Sequence, residues 1–138
     1  MDKTTFLLDL LQKKDNYDEI IDSDLPFIST NLSEYLVHLT ADKGLKKADI
    51  IFASGLERTY AYQIFSGKKM PSRDKLIALS IGMQLTFDEV QKLFKVTGYA
   101  QLYPKNKRDN VIIFALYKGQ SMFELNENLM RIGEEIII

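Results

Sequence analysis

Cysteine is absent from the 138-residue sequence, and histidine occurs once, at His38. Without cysteine the chain can form no disulfide and has no thiolate nucleophile. A single histidine with no second ligand nearby in the sequence does not indicate a metal site. We therefore expect no metal and no cofactor, and we interpret His38 as an ordinary structural or surface residue.

Long apolar runs and a signal sequence are also absent. The longest apolar runs, such as residues 111–117, are much shorter than the roughly 20 residues that a membrane-spanning helix needs. The first residues, MDKTTFLLDLL, include an acidic side chain and no small-residue cleavage site. These absences predict a cytoplasmic protein without a membrane segment.

Residue groups that indicate catalysis are scarce. No glycine-rich loop of the kind that binds phosphate occurs. The adjacent acids Asp88 and Glu89 are typical of the first turn of a helix, where negative charge is favoured, rather than of acid–base catalysis. We therefore expect no enzymatic activity.

The net charge is only −1, but the positive charge is concentrated in one part of the chain. Residues 1–30 contain three basic and seven acidic side chains, whereas residues 43–75 contain eight basic and three acidic ones. Such a local excess is typical of a surface that meets a polyanion. A solvated helical face is the other interpretation of the same lysines.

Helical periodicity runs through most of the sequence, and strand alternation and hairpin dipeptides are missing. Asn31, Ser72 and Thr86 stand where helix N-caps are expected. Together with two short helices between them, these caps predict a core of about five helices over residues 31–98. The predicted fold class is all-α.

A separate helix is predicted near the N-terminus. Apolar residues recur at helical spacing over residues 5–14, which gives that segment one apolar face. An acidic linker follows up to residue 30 and contains a candidate turn at residues 17–21. Residues 1–30 are therefore assigned to an N-terminal helix and linker.

Residues 99–138 have the pattern of a connector followed by a helical hairpin. The second helix of the hairpin begins with a capping box at Ser121 and ends at Gly133. Its apolar residues are expected to cover either the core or a partner subunit. The three isoleucines at residues 136–138 are too apolar for water, so this tail is expected to dock.

The most informative stretch is residues 44–75, in which two short helical patterns meet at a tight turn. The first pattern ends at Gly55, which tolerates the left-handed backbone that such a turn requires. The second pattern runs from about Arg58 to Ser66, and one of its faces is expected to pack while the other is presented. The packing face is Ala61, Ile64 and Phe65, and the presented face is Thr59, Tyr62, Gln63 and Ser66.

This stretch resembles the Xre family of bacterial and phage regulators, which have the Cro/C1-type helix-turn-helix. The family pattern has a turn glycine, a short recognition helix and then a glycine-basic-x-x-proline-serine segment, here Gly67, Lys68, Pro71 and Ser72. The resemblance covers about residues 31–85 and implies a lambda-repressor-like arrangement of the helices.

The sequence departs from the family pattern at the expected crossing of the two helices. The family usually places a small residue on the first helix and a branched one on the second, whereas this chain has Ile51 and Ala61. The exchange keeps the summed volume, which protein cores tolerate better than a net change.

The resemblance implies that the second helix inserts into the major groove of double-stranded DNA. Arginine can bind guanine O6 and N7 bidentately, and glutamine can bind adenine N6 and N7 in the same way. The residues at positions that read bases in the family are Arg58, Thr59 and Gln63, with Tyr62 as a further candidate. The residues expected to contact the DNA backbone are Lys46, Lys47, Tyr60, Ser66, Lys68, Lys69 and Arg73.

Three function hypotheses follow from these patterns. The favoured one is a sequence-specific transcription regulator that binds double-stranded DNA. The alternative is a protein–protein interaction module that keeps the scaffold and uses Tyr60 and Tyr62 to hold a partner. An enzyme is the weakest hypothesis. Apolar residues outside the core further suggest a homodimer that pairs through the C-terminal region.

Overall fold

The computed structural model describes residues 3–17 and 31–138, and its regular structure there is helical, with no strand. The prediction of an all-α fold is therefore confirmed for these ranges. Residues 18–30, with most of the acidic linker and of the candidate turn at 17–21, lie outside the described residues. The helices in the described ranges are α1 (Lys3–Lys13), α2 (Leu32–Asp42), α3 (Lys47–Ser54), α4 (Arg58–Ser66), α5 (Arg73–Gly82), α6 (Phe87–Thr97), α7 (Lys107–Lys118) and α8 (Met122–Arg131).

Side-chain caps set the starts of most helices. The side chains of Asn31, Ser72 and Asn106 each accept a hydrogen bond from a backbone N–H three residues later. Thr86 and Ser121 form complete capping boxes with the glutamates three residues on. Each cap satisfies an N–H that has no partner within the helix. The predicted caps at Asn31, Ser72, Thr86 and Ser121 are confirmed.

The connection between α3 and α4 is a three-residue turn with a fixed shape. Gly55 has a φ of 73°, in the left-handed region that favours glycine. The buried hydroxyl of Ser54 donates to the carbonyl of Ile51 at 2.7 Å and accepts from the N–H of Leu56 at 3.2 Å. The turn therefore holds α4 at a defined angle to α3.

α3 also packs against α5, at a distance that only glycine allows. A Cβ atom on Gly82 of α5 would lie 2.5 Å from the carbonyl oxygen of Ile50 and 3.0 Å from the amide nitrogen of Ser54. Both are backbone atoms of α3 and cannot rotate away. The sequence pattern did not indicate this constraint, because nothing local distinguishes Gly82 from an ordinary helix-ending glycine.

The C-terminal hairpin, α7 and α8, packs on the helices that precede it. α7 contacts α6, and α8 contacts α5. Ile112, Ala115, Leu125 and Leu129 are fully buried and belong to the same hydrophobic cluster as the core residues of α2 to α6. These four residues were expected to pack either on the chain's own core or on a partner subunit, and in the structure they pack on the core.

The tail docks on α8, as expected for an apolar segment. Ile137 is 2% exposed, whereas Ile138 is 79% exposed. The Asn126 side-chain amide donates to the carbonyl of Ile137 at 2.9 Å, and its oxygen accepts from the N–H of Ile137 at 2.8 Å. Arg108 Nε donates to the carbonyl of Glu135 at 2.9 Å. The tail thus closes over the hairpin.

α1 differs from the other helices because none of its side chains for which burial is described is buried. Phe6, Leu8 and Leu11 are about half exposed, and no residue of α1 belongs to the core cluster. Within residues 3–17 and 31–138, no helix combines the length and apolarity that crossing a membrane requires.

Candidate nucleic-acid interface

α4 presents one face because its other face is fixed in the core. Ala61, Ile64 and Phe65 are buried, as predicted, and Ile51 of α3 is buried in the same cluster. Glu57 caps the start of α4, and Gly67, with a φ of 86°, ends it. The remaining side chains of α4 point toward solvent or lie at the edge of the buried face.

A shallow groove of about 580 Å³ runs along the presented face of α4. One lysine comes from α3, five residues come from α4, and a second lysine comes from the loop that follows. We call this surface the α4 groove. Its lining is Lys47, Arg58, Thr59, Tyr62, Gln63, Ser66 and Lys68. The structure thus brings together seven of the eleven predicted site residues.

Two cations of the α4 groove, Arg58 and Lys47, lie beside aromatic rings. Cζ of Arg58 is 5.7 Å from the centroid of the Tyr62 ring, and Nζ of Lys47 is 5.7 Å from that of Phe65. A cation at this distance from a ring is attracted by about 0.5–1 kcal/mol at an exposed site. Tyr62 therefore restricts where the guanidinium of Arg58 can point.

Backbone hydrogen bonds fix the loop at the other end of the groove. The N–H groups of Lys68 and Lys69 both donate to the carbonyl of Gln63, at 2.9 and 3.2 Å. Ser66 Oγ donates to the same carbonyl at 3.1 Å. Lys68 is therefore held at the C-terminal end of α4 while its side chain stays exposed.

Three of the predicted residues lie outside the lining of the α4 groove but close to it in the chain. Lys46 and Lys69 are exposed neighbours of Lys47 and Lys68. Tyr60 is half-buried against the core, with Nζ of Lys75 5.2 Å from its ring centroid. Lys46 and Lys69 can add positive charge to the groove, whereas Tyr60 faces the α5 side.

Arg73 was predicted to contact the DNA backbone, and the structure gives it a different role. Its Nη1 and Nη2 donate to the two carboxylate oxygens of Asp109, each at 2.9 Å. Its other bonds go to the carbonyls of Ala100 and Gln101. Because these bonds occupy the guanidinium, Arg73 is less available to a polyanion than predicted, and we leave it out of the DNA contacts proposed below.

Glu57 does not line the α4 groove, but it precedes Arg58 in the chain and caps the start of α4, a role that the sequence pattern did not indicate. Its carboxylate accepts hydrogen bonds from the N–H groups of Thr59 and Tyr60, at 3.0 and 2.7 Å. These bonds, that of Tyr60 first, lower the pKa of Glu57 below its ordinary value. Glutamate is not among the favoured N-cap residues, so a search for serine, threonine, asparagine or aspartate passes over it.

A second concave surface, of about 480 Å³, adjoins the upstream end of the α4 groove. Phe52, on α3, is 88% exposed beside it. The two concavities share Arg58 and Tyr62. The apolar surface therefore starts where the polar lining ends.

No protein-family model, curated protein or solved structure matches this chain.

Proposed function

We propose that this chain is a sequence-specific, DNA-binding transcription regulator of the helix-turn-helix type, in which α4 enters the major groove. The observation that carries the proposal is the α4 groove, where three cations and several hydrogen-bonding side chains converge on one helical face. An α-helix is about 10–12 Å across and the major groove is about 12 Å wide, so the dimensions suit insertion. The resemblance of residues 31–85 to the Xre family supports the same assignment.

The positions of the side chains suggest a division of roles within the groove. Arg58 starts α4 and suits bidentate binding to guanine, while Gln63, more than one turn later, suits adenine. Lys47 and Lys68 come from outside α4 and suit the phosphates on either side of the helix. Phosphate contacts give affinity that falls with salt, and base contacts give specificity.

A protein-interaction module on the same scaffold is the second candidate. Phe52 favours it, because an aromatic side chain that is 88% exposed beside a concave surface suits a protein partner. Tyr60 and Tyr62, the residues first considered for this role, are each partly buried against the core. Retention on heparin in a salt gradient separates the two candidates, since only the DNA-binding mode depends steeply on salt.

Selection of bound sequences from a random duplex pool is the experiment that tests the proposed function. On the selected duplex, Arg58→Ala and Gln63→Ala should each weaken binding by about 1–3 kcal/mol, with little loss on random DNA, because they read bases. Lys68→Ala is the control and should weaken binding on both duplexes. No enriched sequence, or equal losses on both duplexes, would contradict specific recognition through α4.

We also propose that two copies bind one site. A single unit touches few base pairs, and regulators of this type place two recognition helices about 34 Å apart. The hairpin core is buried within the chain, but Phe114, Tyr117 and Phe123 remain exposed on α7 and α8 for pairing. The selected sequence should then contain two half-sites, and light scattering should give two chains per duplex.

A further inference from the structure

Glu57 places a fixed, ionised carboxylate at the N-terminal end of α4, the helix that we propose to enter the major groove. It immediately precedes Arg58, and its side chain is exposed. One carboxylate oxygen accepts the N–H of Thr59 and the other accepts the N–H of Tyr60. A side chain held by two backbone bonds is pre-organised, so little rotamer entropy is lost when it meets a ligand.

The carboxylate keeps acceptor capacity after capping the helix. Its two oxygens offer about four lone-pair positions, and the two backbone bonds use two of them. An ionised carboxylate accepts hydrogen bonds but donates none. It therefore repels phosphate oxygens and base-edge acceptors, and it attracts base-edge donors. In the major groove, the donors are the exocyclic amino groups of cytosine and adenine.

We propose that Glu57 is a specificity-determining residue whose carboxylate accepts a hydrogen bond from the exocyclic amino group of one base next to the base read by Arg58. On the strand whose base Arg58 reads, cytosine or adenine is accepted at that position, while guanine and thymine present carbonyl acceptors to a negative charge and are excluded. Glu57 and Arg58 then form an acceptor and donor pair that reads neighbouring base edges. The inference rests on the proposed function, because it requires α4 in the major groove.

The test compares sequences selected from one random duplex pool by the parent chain and by variants. Glu57→Ser removes the charge and the reach of the side chain but keeps a preferred N-cap, so α4 is retained. Asp88→Asn is the matched control, because it removes an exposed carboxylate from the first turn of α6, which contributes no residue to the groove. Denaturant midpoints of all three proteins verify that each is folded.

The parent should select one position restricted to cytosine or adenine, beside the position that Arg58→Ala relaxes. Glu57→Ser should lower the preference at that position about tenfold and leave the others unchanged. Asp88→Asn should select the parent sequence. If Glu57→Ser keeps every preference, or if the position that it changes carries guanine or thymine on the strand whose base Arg58 reads, the inference is overturned although the proposed function stands. If the parent enriches no sequence, the proposed function itself fails.

Discussion

Arg58 and Arg73 show that tertiary neighbours give two residues of the same type different contacts. Both lie in the basic stretch of residues 43–75, and the sequence offers no local reason to separate them. Arg58 is exposed beside the ring of Tyr62, whereas Arg73 binds a carboxylate that lies 36 residues away in the chain. Net charge in a segment therefore overstates the charge that is available to a ligand.

Gly82→Ala should destabilise the protein, although alanine is the better helix former. Helix propensity alone favours alanine by about 1 kcal/mol. The new Cβ would meet the backbone of α3 at 2.5 Å, and overpacking of this kind costs about 1–3 kcal/mol. Because backbone atoms cannot rotate away, we expect the clash to outweigh the propensity.

Urea midpoints of Gly82→Ala and of Ala53→Gly check this balance. Ala53 is exposed on α3, so its replacement by glycine measures the propensity term without a clash. We expect both variants to unfold at lower urea than the parent. A higher midpoint for Gly82→Ala would show that α3 and α5 can separate at little cost.

At the scale of the elements, helix boundaries could be predicted well because caps and stop signals are local. Ser72, Thr86 and Ser121 bond to amides three residues away, so sequence spacing contains the whole interaction. The presented and buried faces of α4 also follow from helical period alone. Five of the seven residues that line the α4 groove belong to this presented face, and Lys47 and Lys68 are its neighbours from outside α4.

Contacts between elements could not be predicted in this way. Asp109 binds Arg73, and Gly82 allows α3 to pack closely on α5, because segments that are distant in sequence meet in the folded chain. Neither the contact of Asp109 nor that of Gly82 is indicated by sequence spacing or periodicity. The capping role of Glu57 was not predicted for another reason: the contact is local, but glutamate is uncommon at an N-cap.

α5 and α7 are joined at their first turns by two crossed ion pairs. Each helix has an arginine followed by an aspartate in its first turn, and each arginine binds the aspartate of the other helix. Arg73 pairs with Asp109 at 2.9 Å, and Arg108 pairs with Asp74 at 2.7 Å. Both pairs are bidentate, so they fix direction as well as distance. The hairpin is thereby held in register with the helix that follows the α4 groove.

Arg73→Ala should lower stability rather than DNA affinity. The Asp109 side chain is 8% exposed, and removing its partner leaves a nearly buried charge, at a cost of roughly 3 kcal/mol. Lys69→Ala is the matched comparison, because Lys69 is exposed beside the groove. Lys69→Ala should change the free energy of unfolding by less than about 0.5 kcal/mol. It should reduce the slope of log affinity against log salt concentration by the amount that corresponds to about one phosphate contact.

Urea unfolding and salt titrations of DNA binding on both variants measure these effects. The reverse result, with Arg73→Ala stable and its salt dependence reduced, would return Arg73 to the DNA-contacting set.

The pair of Arg108 and Asp74 should make stability depend on acid pH. Hydrogen bonds from Arg108 lower the pKa of Asp74 below its ordinary value of 3.8. A carboxylate with a lowered pKa in the folded chain stabilises it fully above the unfolded pKa, and this contribution is lost as pH falls through the folded pKa. Asp74→Asn should therefore be less stable than the parent at neutral pH, and the difference should shrink below pH 3.8.

Urea midpoints at neutral and acid pH give the comparison, with Asp88→Asn as the control for removal of an exposed carboxylate. A difference between parent and Asp74→Asn that stays constant with pH would mean that the pair contributes no pH dependence.

At the scale of the whole molecule, the C-terminal third completes the core that the earlier helices begin. Leu125 and Leu129 of α8 are fully buried in the same cluster as the core residues of α3 and α5. Removing α8 would therefore expose the centre of the protein rather than only a pairing surface. Point substitutions in the full chain are the sound way to study this region.

The two last isoleucines provide a matched pair for testing how the tail closes the fold. Ile137 is 2% exposed and Ile138 is 79% exposed, although they are identical in type and adjacent in sequence. Ile137→Ala should lower the free energy of unfolding by about 2–5 kcal/mol through lost burial and a cavity. Ile138→Ala should change it by less than about 0.5 kcal/mol. Equal urea midpoints for the two variants would mean that the tail does not stay docked in solution, since burial is what separates the two positions.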